Sequence, residues 1–238
     1  VGSIKENLSL EKRVSITPET AKNIINLGLK IIIENDYASH IGINDDEYKK
    51  AGVEIKKTSK EVFDSCNLLT KVNCPTDDQI LNLKDKTILI GMFNPSKNKD
   101  KLQEIAKKKI NVFSLELLPR ISRAQSMDVL SSQSNLAGYR SVVDSIYEFE
   151  KAIPMMMTAA GTVPAAKVLV IGAGVAGLQA IATAKRLGAI VSATDVRAAS
   201  KEQVESLGGK FLTVEQSENL ETSGGYANGI YGFMYFEY

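Results

Sequence analysis

Apolar and polar positions along the chain fall into two rhythms. Ala21, Ile24, Ile25 and Leu27 recur at helical spacing after Thr17-Pro18-Glu19, and Gly28 ends the run. Thr17 suits an N-cap, Pro18 the first helical position where a missing N–H costs nothing, and Glu19 the positive pole of the helix. The apolar run Leu29–Glu34, centred on Ile31-Ile32-Ile33, predicts a strand. The same alternation continues with short helices near Asp45–Ala51 and Lys60–Ser65 and strands Val53–Lys56 and Leu68–Val72. A helix over Thr76–Leu83, a strand over Thr87–Phe93, a helix over Lys99–Lys108 and a strand over Val112–Leu115 follow. Strands alternating with short helices imply βα units and a mostly parallel sheet. Ile88-Leu89-Ile90 is apolar on both faces, as a sheet covered on both sides requires.

Pro119–Gln125 follows neither rhythm. From Ser126 or Met127 to about Lys151 the pattern is helical again, through Val129, Leu130, Leu136, Val142, Val143, Ile146 and Phe149. That length predicts a helix joining two lobes. Met155-Met156-Met157 reads as core between the lobes, and Gly161-Thr162-Val163-Pro164 punctuates the chain before a second unit. The predicted class is α/β with two lobes, each a mostly parallel doubly wound sheet. Residues 1–125 form the N-terminal lobe, 126–152 the connecting helix, and 153–238 a Rossmann dinucleotide-binding lobe that is truncated at its C-terminus.

Composition narrows the function. Hydrophobic residues at 44% and charged residues at 24% exclude disorder as the dominant state. Cys66 and Cys74 do not form a C-x-x-C pair and read as reduced thiols. Lys+Arg 29 against Asp+Glu 28 leaves a net charge of +1, which points away from nucleic acid. No apolar run reaches the roughly 18 residues of a membrane helix. His40 is the one histidine, which argues against His-based metal sites and Ser or Cys triads, so no metal is expected. His40 itself reads as a surface or capping residue in a loop. The chain starts at Val1, and Tyr226–Tyr238 holds six of the fifteen aromatics among helix- and strand-breaking glycines. That end reads as truncated or misread rather than as a buried strand, and the chain as a fragment.

The chemistry is carried by one turn. The strand Lys167–Ile171 runs into Gly172-Ala173-Gly174-Val175-Ala176-Gly177, a helix Leu178–Leu187 closed by Gly188, and a strand Ala189–Thr194 ending in Asp195. This G-x-G-x-x-G pattern follows a strand, opens a helix, sits in a unit of about thirty residues and has an acid about twenty residues on. Gly172 permits the tight turn, Gly174 lets backbone approach a pyrophosphate, and Gly177 lets helix and strand come close. The helix N-terminus offers N–H groups and partial positive charge to phosphates. Asp195 can accept from both adenosine ribose hydroxyls and would repel a 2′-phosphate, favouring NAD(H) over NADP(H); Arg197 weakens that preference slightly.

A dehydrogenase acting on a hydroxy or amino acid moves a proton with its hydride and wants an acid/base group. Hydride passage between two nicotinamides needs positioning instead. A chain whose one His lies in a loop suits the second chemistry, while Lys71 keeps the first open.

Arg120-Ile121-Ser122-Arg123-Ala124-Gln125-Ser126-Met127-Asp128, Ser131-Ser132 and Asn135–Arg140 closely resemble the NAD(H)-binding component of proton-translocating NAD(P) transhydrogenases, in the alanine dehydrogenase/transhydrogenase family. Thr158–Lys167, the glycine turn, Ala193–Arg197, Lys201–Val204 and Gly224-Gly225-Tyr226-Ala227 continue the likeness. The resemblance implies two lobes around a cleft, a homodimer, and NADH whose hydride passes directly to NADP⁺ on a separate component. A membrane component would couple this transfer to proton flow, making the chain a peripheral part of a complex in a mitochondrial or bacterial-type inner membrane. It implies that Arg120 and Gln125 reach the nicotinamide end and that Asp128 and Ser131 join that hydrogen-bond set. Val175, Asp195, Val196 and Arg197 would meet the pyrophosphate and adenosine side, and Gly225 and Tyr226 would lie on a loop closing over the nucleotide. Read alone, Gln125, Asp128 and Ser131 are spaced to share a helix face or to cap the long helix. Arg13 and Lys71 match residues that bind substrate carboxylate in alanine dehydrogenases, but Gly91-Met92-Phe93-Asn94-Pro95 lacks the histidine those enzymes use. The alternatives are an alanine dehydrogenase-like oxidoreductase and a truncated NAD-binding module without turnover.

Overall fold

The computed structural model describes residues 1–119 and 121–213. The chain divides by its contacts into two compact units, Val1–Val129 and a second beginning at Leu130. The division places the long helix with the second unit.

The first unit runs β1 (Gly2–Ser3), α1 (Pro18–Asn26), β2 (Ile32–Glu34), α2 (Asp45–Lys50), β3 (Glu54–Lys56), α3 (Ser59–Ser65), β4 (Leu68–Thr70), α4 (Asp77–Asn82), β5 (Ile88–Gly91), α5 (Lys99–Lys107) and β6 (Asn111–Ser114). Thr17 caps α1 by accepting the Thr20 N–H at 3.2 Å. Thr76 caps α4 through the Gln79 N–H in the same way. The strands form one six-stranded sheet in the order β3-β2-β1-β4-β5-β6, every pair parallel. Chain order reverses between β1 and β4, the switch point at which doubly wound sheets bind ligands.

Both faces of this sheet are covered. Ile31 and Ile33 point into a core with Ile16, Tyr37, Tyr48 and Val53, while Ile32 points into another with Leu69, Leu89, Phe93 and Ile105. Leu69 and Leu89 are fully buried, and burial of each contributes roughly 1.5–3 kcal/mol. β1 lies at the centre of the sheet but is not among the strands the sequence pattern predicts. It is two residues long, too short to show a period.

Pro119–Gln125 is less irregular than its sequence suggests, since a 3₁₀ turn covers Ser122–Met127. The long helix, α6, therefore starts at Val129 rather than at Ser126 or Met127, and ends at Phe149. β7 (Met156–Thr158) and β8 (Gly161–Val163) form an antiparallel hairpin. Met155, Met156 and Met157 are 61%, 47% and 73% exposed, which corrects their reading as core between lobes. On a two-stranded hairpin neither face is covered.

β9 (Lys167–Ile171), α7 (Val175–Arg186), β10 (Ile190–Thr194), α8 (Ser200–Ser206) and β11 (Lys210–Phe211) follow. The sheet order β11-β10-β9 is parallel and is the first half of a doubly wound arrangement. Among the described residues β9 has no strand on its other side. There an apolar cavity of about 350 Å³ opens between α6, α7 and β9, lined by Val142, Ile146, Ile153, Val168, Val170 and Ala180. No helix among the described residues is long and apolar enough to cross a membrane.

Candidate functional site

The turn between β9 and α7 is held by three glycines with separate reasons. Register pairs Ile171 with Thr194, so the end of β10 lies beside the turn, and the Gly172 N–H donates to the Thr194 carbonyl at 2.8 Å. Gly172 has φ +91°, a conformation that side chains rarely adopt. A Cβ at Gly177 would run into the Gly172 carbonyl, its carbon 2.8 Å away, so only glycine lets α7 start this close to β9. A Cβ at Gly174 would meet nothing within 4 Å. The surroundings do not require glycine there, and a methyl would project into open space in front of the turn.

Gly174 is also the N-cap of α7 and supplies no side-chain acceptor. The first N–H groups of an α-helix lack intrahelical acceptors, so they face the space that a methyl at Gly174 would fill. The helix begins at Val175, three residues before the pattern places it, because the last three residues of the motif are already helical. Val175 is 39% exposed at this rim.

Asp195 closes the other side. Its Oδ2 accepts the Ala173 N–H at 2.6 Å, and its Oδ1 accepts the Arg197 N–H at 2.8 Å and the Arg197 Nε–H at 3.0 Å. Arg197 Nη2 donates to Oδ2 at 3.2 Å. Burial opposes ionisation of Asp195, but the hydrogen bonds from Arg197 and from the Ala173 amide outweigh it and hold the carboxyl below the usual carboxylate range. A glycine cradle, helix-start amides and an ionised acid at the next strand end together fit an ADP-like group.

Gly172, Gly174, Val175, Gly177, Asp195, Val196 and Arg197 are thus brought together by one strand–turn–helix–strand unit. Arg120, Gly225 and Tyr226 lie outside the described residues. Gln125 is exposed in the 3₁₀ turn, Asp128 ends that turn, and Ser131 is in the first turn of α6. They do not share one helix face, because the backbone changes course at Asp128 (φ −75°, ψ 86°). His40 is exposed, with Nε2 2.7 Å from the Lys12 carbonyl.

The first unit carries a second charged group that the sequence pattern only half foresees. Beyond β1 and β4, at the switch point, Lys71 Nζ lies 3.2 Å from Glu6 Oε2, with side chains 3% and 6% exposed. Glu6 Oε1 accepts the Val72 N–H at 2.7 Å. Arg13 pairs with Glu11 at 2.6 Å, and Asn73 donates to Glu11 at 3.3 Å. Glu6 is not among the residues the sequence singles out; the available signal was Lys5-Glu6 directly after buried Ile4.

Residues 2–137 match the family described as Alanine dehydrogenase/PNT, N-terminal domain, and residues 141–225 match Alanine dehydrogenase/PNT, C-terminal domain. The chain belongs to this alanine dehydrogenase/PNT family. Among its members, an NAD(P) transhydrogenase subunit alpha of Rhodospirillum rubrum is 52% identical over 230 residues, covering 94% of this chain and 60% of that protein. The corresponding subunit of Rickettsia prowazekii is 46% identical over 230 residues, covering 95% of this chain and 60% of that protein. The crystal structure of transhydrogenase from Sinorhizobium meliloti superposes with a TM-score of 0.85 at 47% identity, over 90% of this chain and 64% of that chain. An L-alanine dehydrogenase structure shares the fold, with a TM-score of 0.77 at 22% identity. The chain thus spans 60% of the length of these two curated relatives.

Proposed function

We propose that this chain is the NAD(H)-binding part of a proton-translocating NAD(P) transhydrogenase. The observation that carries the reading is the turn at Gly172–Gly177 with Asp195 beside it, in a chain so similar to transhydrogenase alpha subunits. The amides at the start of α7 hold the pyrophosphate, Gly174 leaves it room, and Asp195 takes the adenosine ribose. Val175, Val196 and Arg197 border that half of the nucleotide. NAD(H), when bound, supplies the hydride that the reaction moves. Arg120, Gln125 and Asp128, with Ser131, orient the nicotinamide end by hydrogen bonding and do no proton transfer, as direct hydride passage requires. Gly225 and Tyr226 belong to the segment that closes over the nucleotide.

A separate component holds NADP(H), a membrane component couples transfer to proton flow, and this chain is peripheral to the membrane and homodimeric. The exposed Met155–Met157 hairpin supports a second copy as its cover, since exposed apolar surface of this kind marks association. Two lobes, 1–125 and 153–238, joined by 126–152, remain the proposed division.

Calorimetric titration with NADH should show saturable binding. Purified chain with the NADP(H)-binding component should then reduce an NADP⁺ analogue with NADH, without pyruvate or ammonia. Absence of binding refutes the reading. Binding without transfer makes the chain an NAD-binding module alone. The buried Lys71–Glu6 pair at the first switch point favours a second reading, an alanine dehydrogenase-like enzyme. That reading requires NADH oxidation dependent on pyruvate and ammonia.

A further inference from the structure

A carboxylate has about four lone-pair positions, and at Asp195 all of them are in use. Two are taken by main-chain N–H groups, from Ala173 at 2.6 Å and from Arg197 at 2.8 Å. The other two are taken by the Arg197 side chain, through Nε at 3.0 Å and Nη2 at 3.2 Å. The Asp195 side chain is 6% exposed beneath a guanidinium-bearing side chain that is itself 21% exposed. A ribose diol also offers two adjacent donors, so it needs the acceptors that the arginine fork now fills. The main-chain donors cannot leave without unmaking the turn, whereas a partly exposed side chain can rotate away.

We propose that Arg197 is an internal competitor for the ribose diol, a latch that must leave Asp195 before the adenosine sugar is gripped. This rests on the NAD(H) reading above. The latch exchanges charge-assisted bonds for neutral ones when sugar binds, so it sets nucleotide affinity below what the carboxylate alone would give. It also makes Arg197 a specificity-determining residue for the sugar.

The test is calorimetry on the full chain with NADH, ADP and 2′,3′-dideoxy-ADP, for wild type, Arg197→Gln and Arg197→Lys. If the latch is closed about nine-tenths of the time, Arg197→Gln binds NADH about tenfold tighter. Arg197→Lys, which keeps charge but loses the fork, falls between. The gain appears with ADP and is absent with the dideoxy ligand, which has no diol to compete. Unchanged or weaker NADH binding by Arg197→Gln, or an equal change for ADP and its dideoxy analogue, overturns the latch while the NAD(H) reading stands. No saturable NADH binding by wild type, or by variants with wild-type circular dichroism, overturns both.

Discussion

A methyl group added at Gly174 and one added at Gly177 should fail in opposite ways, although the two positions are three residues apart in one motif. At Gly177 the methyl meets the Gly172 carbonyl, with the carbon 2.8 Å away, and both groups are backbone that cannot rotate aside. Overpacking of this kind costs about 3 kcal/mol, which for a unit of this size lowers Tm by roughly 10–20 °C. At Gly174 the backbone has φ −73° and the methyl meets nothing within 4 Å. Alanine is a poorer N-cap than glycine, but it also restricts the unfolded chain, and the two effects nearly offset to within about 0.5 kcal/mol. The Gly174 methyl instead occupies the place of a pyrophosphate. Gly174→Ala should therefore melt like wild type and bind NADH at least about tenfold more weakly, a loss near 1.4 kcal/mol. Gly177→Ala should melt early. Circular dichroism melts and NADH calorimetry on both variants decide between these outcomes. Wild-type NADH affinity in Gly174→Ala would show that no phosphate is seated over the start of α7.

Asp195 has a folded pKa below its unfolded value of about 3.9, so its contribution to stability is present above that pH and is lost as pH falls toward the folded pKa. Asp195→Asn should flatten that acid limb, measured as urea midpoints at neutral pH and near pH 3; a limb as steep as wild type contradicts the assignment. Lys71→Met leaves Glu6 buried without its cation and should cost about 3–5 kcal/mol, most of it recovered in the double variant with Glu6→Gln; denaturant titration of both tests this, and an equal loss in the double variant excludes a mutual pair. Gly138→Ala, on α6, would drive a Cβ into the Ala176 carbonyl, whose carbon is 2.8 Å away, at the first turn of α7. It should lower Tm and weaken NADH together, and a wild-type melt would show that α6 does not bear on the turn.

What could be read from the sequence was whatever neighbours in the chain decide among themselves. The Thr17 cap, the start of α1 at Pro18, the strand Lys167–Ile171 and the need for glycine at 172 and 177 are local matters of dihedral angle and capping, and the structure bears them out. The binding turn was legible for the same reason: strand, glycines, helix and acid lie within one short stretch. Tertiary structure decided what local chemistry could not. β1 is a strand only because β2 and β4 pair with it on either side. Glu6 reaches the Val72 amide across 66 positions, a partnership no periodicity announces. Three methionines in a row say apolar but not buried, and the hairpin leaves them in solvent. Asp195 looked from sequence like an acceptor awaiting a sugar, whereas the folded chain shows its lone pairs already held by Ala173 and Arg197. Residue order determines which groups can bond, and only the closed fold, by setting distance and solvent access, selects which of them do.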